Sequence, residues 1–283
     1  MKDKFIKHTG FQHFHDKKSL ISQLLTIGKE NIEFNPAHQA VIIKAFDEYQ
    51  NYQRKKKTKI ADGFQLIPME LEEYENKPFY KFISKSIYND FISKGKFRLG
   101  SLKLYREIED YKARDEREGC VNLIFKMGNR YILSSVISGF NHYIFCGSHS
   151  IDNSEVKSNN FGDYIMKISN VKSFAEAVKR AIGAKKWDLK KIIYQDFKAS
   201  YFEIPVDNEL LSSLLNEKFV MTPKFFNLLY ESSKTSSLFV KPSYFKPEEE
   251  LRITFTMEKD VKKFLDFHNQ GLLNYIEFIK VKK

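Results

Sequence analysis

Val121-Asn122-Leu123-Ile124-Phe125-Lys126, Arg130-Tyr131-Ile132-Leu133-Ser134-Ser135-Val136 and His142-Tyr143-Ile144-Phe145-Cys146 follow one another closely in the chain. Each run is rich in β-branched or aromatic residues, the composition of a strand. Outward from them, further strand candidates lie at 79–84, 96–99, 164–168, 191–194, 238–241, 251–257 and 276–281. Helix candidates lie at 86–94, 102–110, 173–181, 209–216 and 223–232. The strands are numerous and lack the regular strand-helix-strand rhythm of a doubly wound sheet. The expected fold class is therefore α+β, with a mixed, mainly antiparallel sheet.

The N-terminal part reads differently. Residues 16–31 bring Leu20, Ile21, Leu24, Leu25 and Ile27 to helical spacing behind Asp16, and 36–53 follow with Pro36 at the first helical position. The basic run Arg54-Lys55-Lys56-Lys57-Thr58-Lys59 closes this segment. Lys55, Lys56 and Lys57 are either phosphate contacts or a solvated linker. The expected organisation is a helical segment with its basic linker over 1–59 and an α+β domain over 60–283.

With 283 residues, a 42% apolar share, 26 Phe and 15 Tyr, the chain can bury a sizeable core. Its net charge of +11 attracts anions such as nucleic acid or phosphates, or serves solubility. Cys120 and Cys146 form no Cys-x-x-Cys pair and suggest neither a zinc ribbon nor a disulfide framework. His13-x-His15 has no nearby partner at zinc spacing, so no metal is expected. No apolar run follows Met1-Lys2-Asp3-Lys4-Phe5, and no stretch reaches the ~20 apolar residues of a membrane span. A cytoplasmic protein with no membrane partner is the expectation. P-loop, Gly-x-Gly-x-x-Gly, Gly-x-Ser-x-Gly, His-Glu-x-x-His and kinase signatures are all missing.

Four clusters can carry chemistry. In Arg98-Leu99-Gly100-Ser101, a strand ends where Ser101 is placed to cap a helix, and that helix N-terminus suits a phosphate flanked by Arg98 and Arg106. Asp115-Glu116-Arg117-Glu118-Gly119 reads as a charged turn before a strand. In Cys146-Gly147-Ser148-His149, a strand emerges into small polar residues; Gly147 permits close backbone approach, and Ser148 and His149 offer ligand or proton chemistry. In Glu248-Glu249-Glu250-Leu251-Arg252, strand alternation puts Glu248, Glu250 and Arg252 on one face. Two carboxylates beside an arginine can bind ribose hydroxyls and stabilise a cationic sugar, or form the polar face of a half-exposed strand.

Taken in order, Tyr80-Lys81-Phe82, Arg98-x-Gly100-Ser101, the acidic turn, Cys146-x-Ser148 and Lys241…Phe245…Glu248-x-Glu250-x-Arg252 resemble a bacterial family related to ADP-ribosyltransferase toxins and phage-defence proteins. The resemblance covers about residues 78–257 and implies a split sheet gripping NAD as co-substrate, with no metal. It implies that Glu250 is the catalytic carboxylate and that Glu248 positions or deprotonates the acceptor. Arg98 is implied to hold the diphosphate or nicotinamide ribose, and Ser101 and Ser148 to line the nicotinamide pocket. Tyr80, Tyr105 and Arg252 complete the implied cofactor-binding set. Cys146-Gly147-Ser148 stands where the best-known toxins carry Ser-Thr-Ser.

The basic surface turns the expected acceptor toward nucleic acid, RNA before DNA, with Lys241 joining Lys55–Lys57 as contacts and an acidic antitoxin as partner. A protein acceptor is a further option. The rival from another class is a non-catalytic nucleic-acid-binding module using Tyr80, Phe97 and Tyr105 for stacking. A metal-dependent nuclease built on Asp115, Glu118, Glu248 and Glu250 is the third.

Overall fold

Short runs that alternate large apolar with polar side chains settle into strands wherever a neighbouring edge can accept their backbone hydrogen bonds. A computed structural model of the chain describes residues 6–9, 20–27, 74, 77–107, 118–127, 130–151, 162–196, 198–209, 223–259 and 261–281. In chain order the strands are β1 (Ile6–Thr9), β2 (Leu20–Ile27), β3 (Phe79–Ile83), β4 (Lys96–Ser101), β5 (Cys120–Met127), β6 (Arg130–Ile137), β7 (His142–Ser148), β8 (Tyr164–Ile168), β9 (Lys186–Lys191), β10 (Ile193–Tyr194), β11 (Ala199–Ile204), β12 (Val240–Lys241), β13 (Glu250–Thr256), β14 (Phe264–His268) and β15 (Ile276–Lys280). The helices are α1 (Lys85–Asp90), α2 (Leu102–Glu107), α3 (Val171–Ile182), α4 (Pro223–Ser233) and α5 (Ser236–Phe239), with 3-10 turns at Ile92–Lys94, Ser243–Glu248 and Gln270–Tyr275. The chain is α+β, and most strand pairs are antiparallel.

The backbone divides into two compact units, each drawn from three separate stretches. The first unit comprises residues 1–70, 119–139 and 195–243. Its centre is the β5–β6 hairpin, flanked by β2 in parallel with β6 and by β11 in parallel with β5. Val121, Leu123 and Phe125 are fully buried, and the Phe125 and Phe202 rings stack at 5.3 Å.

The expected helix at 16–31 is corrected here: Leu20–Ile27 is a strand, in register with Tyr131–Ile137. An apolar run this short fits a helical stripe and a strand equally well, and the open edge of β6 decides between them. The expected helix at 36–53, the basic run 54–59 and most of the expected helix at 209–216 lie outside the described residues.

The second unit comprises residues 71–118, 140–194 and 244–283 and holds an eight-stranded sheet. The sheet forks at β7. One edge of β7 pairs with β13 along its whole length, and β13 pairs onward to β9. The other edge is shared: β4 pairs at Tyr143 and Ile144, and β3 at Ser148. β14 extends the β4 branch, while β8 and β15 extend the β3 branch.

Helix α3 covers one face of this sheet. Val171, Phe174, Ala175 and Val178 recur at i, i+3, i+4 and i+7 and are all buried against Phe79, Phe145, Leu251 and Ile253. Each large side chain buried here contributes about 1.5–3 kcal/mol. Asn170 caps the helix by accepting from Ser173 N at 3.0 Å, and Gly183, at φ 70, ends it. Strands β9, β11 and β14 were not among the sequence candidates. In β9, three lysines mask the alternation of Trp187 and Leu189.

Candidate functional site

Alternation along β13 sends Leu251, Ile253 and Phe255 into the core, so Glu250, Arg252 and Thr254 share the opposite face. The antiparallel register sets Glu250 across from Ser148 and Arg252 across from Cys146. Ahead of the strand, the 3-10 turn Ser243–Glu248 is followed by Glu249, which has φ 45. A non-glycine residue in this left-handed region costs about 1 kcal/mol or more, and such residues concentrate at functional sites. Glu249 O accepts from His149 N at 3.3 Å, while Glu250 N donates to Tyr194 Oη at 2.7 Å and Glu250 O accepts from Ile192 N at 3.0 Å. The backbone of Glu250 is thus held from both sides.

Glu250 is 4% exposed and Arg252 1%. Arg252 Nε donates to Glu250 Oε1 at 2.8 Å, and Arg252 Nη1 donates to Glu118 Oε1 at 2.6 Å. Glu118 is equally buried. Burial lowers the guanidinium's pKa, but Glu118 and then Glu250 outweigh it and leave Arg252 well above its ordinary value. Arg252 is therefore a fixed positive charge between two buried carboxylates.

Cys146, Tyr105, Lys81 and Ser148 surround this triad. The Cys146 thiol is pushed up to about 12, first by burial and then by Glu250, against the lowering effect of Arg252 and Lys81. It stays protonated at neutral pH, which makes it a poor nucleophile there. Burial, then the neighbouring Cys146 and Glu250, raise the Tyr105 phenol well above its usual range, so it stays an O–H donor. Lys81 Nζ donates to Cys146 O at 2.7 Å and lies 4.9 Å from the centre of the Phe145 ring; burial lowers its pKa, with Cys146 and Glu250 opposing. Ser148 is buried, and its Oγ accepts from Ser150 N at 3.1 Å. A Cβ on Gly147 would come within 2.5 Å of the Phe79 ring and of Tyr80 O, so the expected close approach is present.

Several expected site residues are brought together and others are not. Glu250, Arg252, Ser148 and Tyr105 gather, and Tyr80 is cross-strand from Ser148. Glu248 is not on the shared strand face. It lies in the 3-10 turn, and the bend at Glu249 separates it from β13. Arg98 is not part of the group. Its side chain is 57% exposed, its Nε and Nη2 fork onto Asp266 at 2.6 and 2.8 Å, and its guanidinium stacks over Phe264.

Arg252 is too buried and too fully engaged with carboxylates to grip a dinucleotide directly. Ser101 is buried at the start of α2; it accepts from Leu104 N at 3.4 Å, as a cap, and donates to Lys263 O at 2.9 Å. Lys241 is buried in the first unit rather than offered to phosphate. Lys55, Lys56, Lys57 and Asp115 lie outside the described residues. His149 is half-buried, and burial lowers its pKa, so it is neutral at pH 7.

Glu118 reads in sequence as part of a charged turn, or as a carboxylate of a nuclease, and not as the partner of Arg252, because an acid beside a glycine at a strand start carries no mark of burial there. No cluster of three or more metal-ligating side chains occurs among the described residues. Comparison of the chain with family models, with curated proteins and with solved structures gives no match to any of them.

Proposed function

We propose that the chain is an NAD-dependent ADP-ribosyltransferase in which Glu250 is the catalytic carboxylate. The observation that carries this reading is the meeting of the ordered motifs around one side chain: Ser148 is cross-strand from Glu250, Arg252 bonds it, and Tyr105 and Lys81 lie within its field. The forked, mainly antiparallel sheet supports the split sheet that the resemblance implies. The donor set also fits the substrate. A carboxylate suits ribose hydroxyls, and a serine hydroxyl with a protonated phenol suits a carboxamide. As the bond between ribose C1′ and the nicotinamide nitrogen breaks, its electron pair leaves with nicotinamide. Glu250 opposes the positive charge growing on the ribose, and the acceptor's nucleophile then bonds C1′ and loses its proton.

The acceptor in this reading is nucleic acid, RNA before DNA, drawn by a net charge of +11. Such a protein acts as a toxin of a toxin–antitoxin or anti-phage system and is neutralised by an acidic partner. The test is nicotinamide release from NAD by the purified chain, alone and with RNA, single-stranded DNA or protein extract. Release that needs one acceptor and disappears in Glu250→Gln supports the transferase and names the acceptor class.

A second reading is favoured by the 4% exposure of Glu250 and its bond to Arg252: a nucleic-acid-binding module whose buried ion triad only pins the sheet. It expects no nicotinamide release and RNA affinity unchanged in Glu250→Gln.

A further inference from the structure

Arg252 bonds the Glu250 carboxylate and Glu118 bonds Arg252, so both bear on the setting of Glu250. We propose that they are positioning residues: Arg252 orients the Glu250 carboxylate through Nε, and Glu118 anchors Arg252 through Nη1 while drawing off part of its field. The proposal rests on the reading of Glu250 as the catalytic carboxylate.

Geometry and charge both support it. The arginine carries its donors in a rigid planar fork, so a bond at Nη1 restricts the plane in which Nε meets Glu250. Glu118 reaches this fork from the turn before β5, a separate part of the chain, and it is fixed there. Its own carbonyl oxygen accepts from Arg106 Nη1 at 2.7 Å, and Arg106 stacks over Phe140. One guanidinium facing two carboxylates leaves one negative charge in excess among the three.

Among the described residues, the other titratable groups that act on Glu250 include Cys146 from β7, Lys81 from β3 and Tyr105 from α2; Tyr194 meets its backbone, and Lys190 is cross-strand from Arg252. Cys146 and Tyr105 remain neutral, so Glu118 is the carboxylate that competes with Glu250 for the Arg252 guanidinium. Removing the Glu118 negative charge therefore favours ionised Glu250, and the lost grip on Nη1 loosens the plane in which Nε meets that carboxylate.

The experiment uses the full chain carrying Glu118→Gln, Glu118→Asp or Arg252→Lys. Two readouts are taken. One is the titration of the Glu250 carboxyl carbon by NMR on 13C-labelled glutamate, assigned with Glu250→Gln. The other is nicotinamide release from NAD as kcat and KM across pH.

In Glu118→Gln, the Glu250 titration and the acidic limb of kcat are expected to move together to lower pH. The kcat at neutral pH is expected to fall about 10-fold or more with little change in KM, the effect of a misplaced reacting group. Glu118→Asp is expected to recover the titration and much of kcat, and it carries the test if Glu118→Gln does not fold. Arg252→Lys is expected to keep the charge but lose kcat, because it lacks the fork. An unchanged Glu250 titration and unchanged kcat in folded Glu118→Gln would overturn the proposal. A shifted titration in a chain that releases no nicotinamide sinks the transferase reading alone and leaves the setting of Glu250 by Glu118 standing.

Discussion

Arg252 carries two carboxylates on one guanidinium in surroundings that exclude water. Such a triad is costly to build and more costly to break, because removing its centre strands two buried charges. Arg252→Ala is expected to lower stability by about 3–5 kcal/mol, read by urea denaturation at pH 7. A loss under 1 kcal/mol would mean that the triad is solvated in solution. Cys146 ties the stability of the fold to pH.

Its thiol pKa is raised in the folded chain, from an ordinary value of 9.0 to about 12. The contribution to stability is thus fully present below pH 9 and is lost as pH rises toward 12. Cys146→Ala is expected to unfold less steeply with pH across that window, measured against the parent chain by thermal melts. In the folded parent, the thiol of the partly exposed Cys146 is expected to react slowly with alkylating agents at pH 8, and a rapid reaction would contradict its raised pKa. Arg98 illustrates how residue identity misleads. Its position before Gly100-Ser101 invited a phosphate role, but its planar fork meets Asp266 on the neighbouring strand instead.

At the scale of elements, β7 is the branch point, and its last residues decide whether the fork closes. Gly147 sits where β3 crosses over it, leaving no room for a methyl group beside Tyr80 O. That neighbour is backbone and cannot rotate away. Gly147→Ala is expected to destabilise the chain by about 1–3 kcal/mol and to broaden NMR signals of Tyr80 and Ser148, while leaving β5 and β6 unchanged. A neutral substitution would show that β3 can shift along β7.

Most strands of this sheet are legible in sequence because β-branched and aromatic runs end at polar residues, as at β8, whose expected and observed bounds coincide. Strand β2 is not legible as a strand. Its Leu-Ile-Ser-Gln-Leu-Leu-Thr-Ile run fits either period, and the edge that makes it a strand lies over a hundred residues away in the chain.

For the whole molecule, the excess of 47 basic over 36 acidic residues gives the +11 that turns the chain toward anions. If RNA is the acceptor, its affinity is expected to fall about 10-fold or more between about 50 and 200 mM salt, linearly in log–log form, measured by fluorescence anisotropy. Affinity that ignores salt would remove the electrostatic case for a nucleic-acid target. Among the described residues, no helix is long and apolar enough to cross a membrane.

The sequence alone determined the α+β class and the mainly antiparallel sheet. It also determined the candidacy of Glu250 and Ser148, because strand alternation, capping and charge are local properties that neighbours in the chain decide. Only the tertiary structure decided that Glu118 joins Glu250 and Arg252 while Arg98 and Lys241 do not. Pairing across more than a hundred residues depends on sheet register and burial. A buried carboxylate reads in sequence like any exposed one until the fold brings its cation to it.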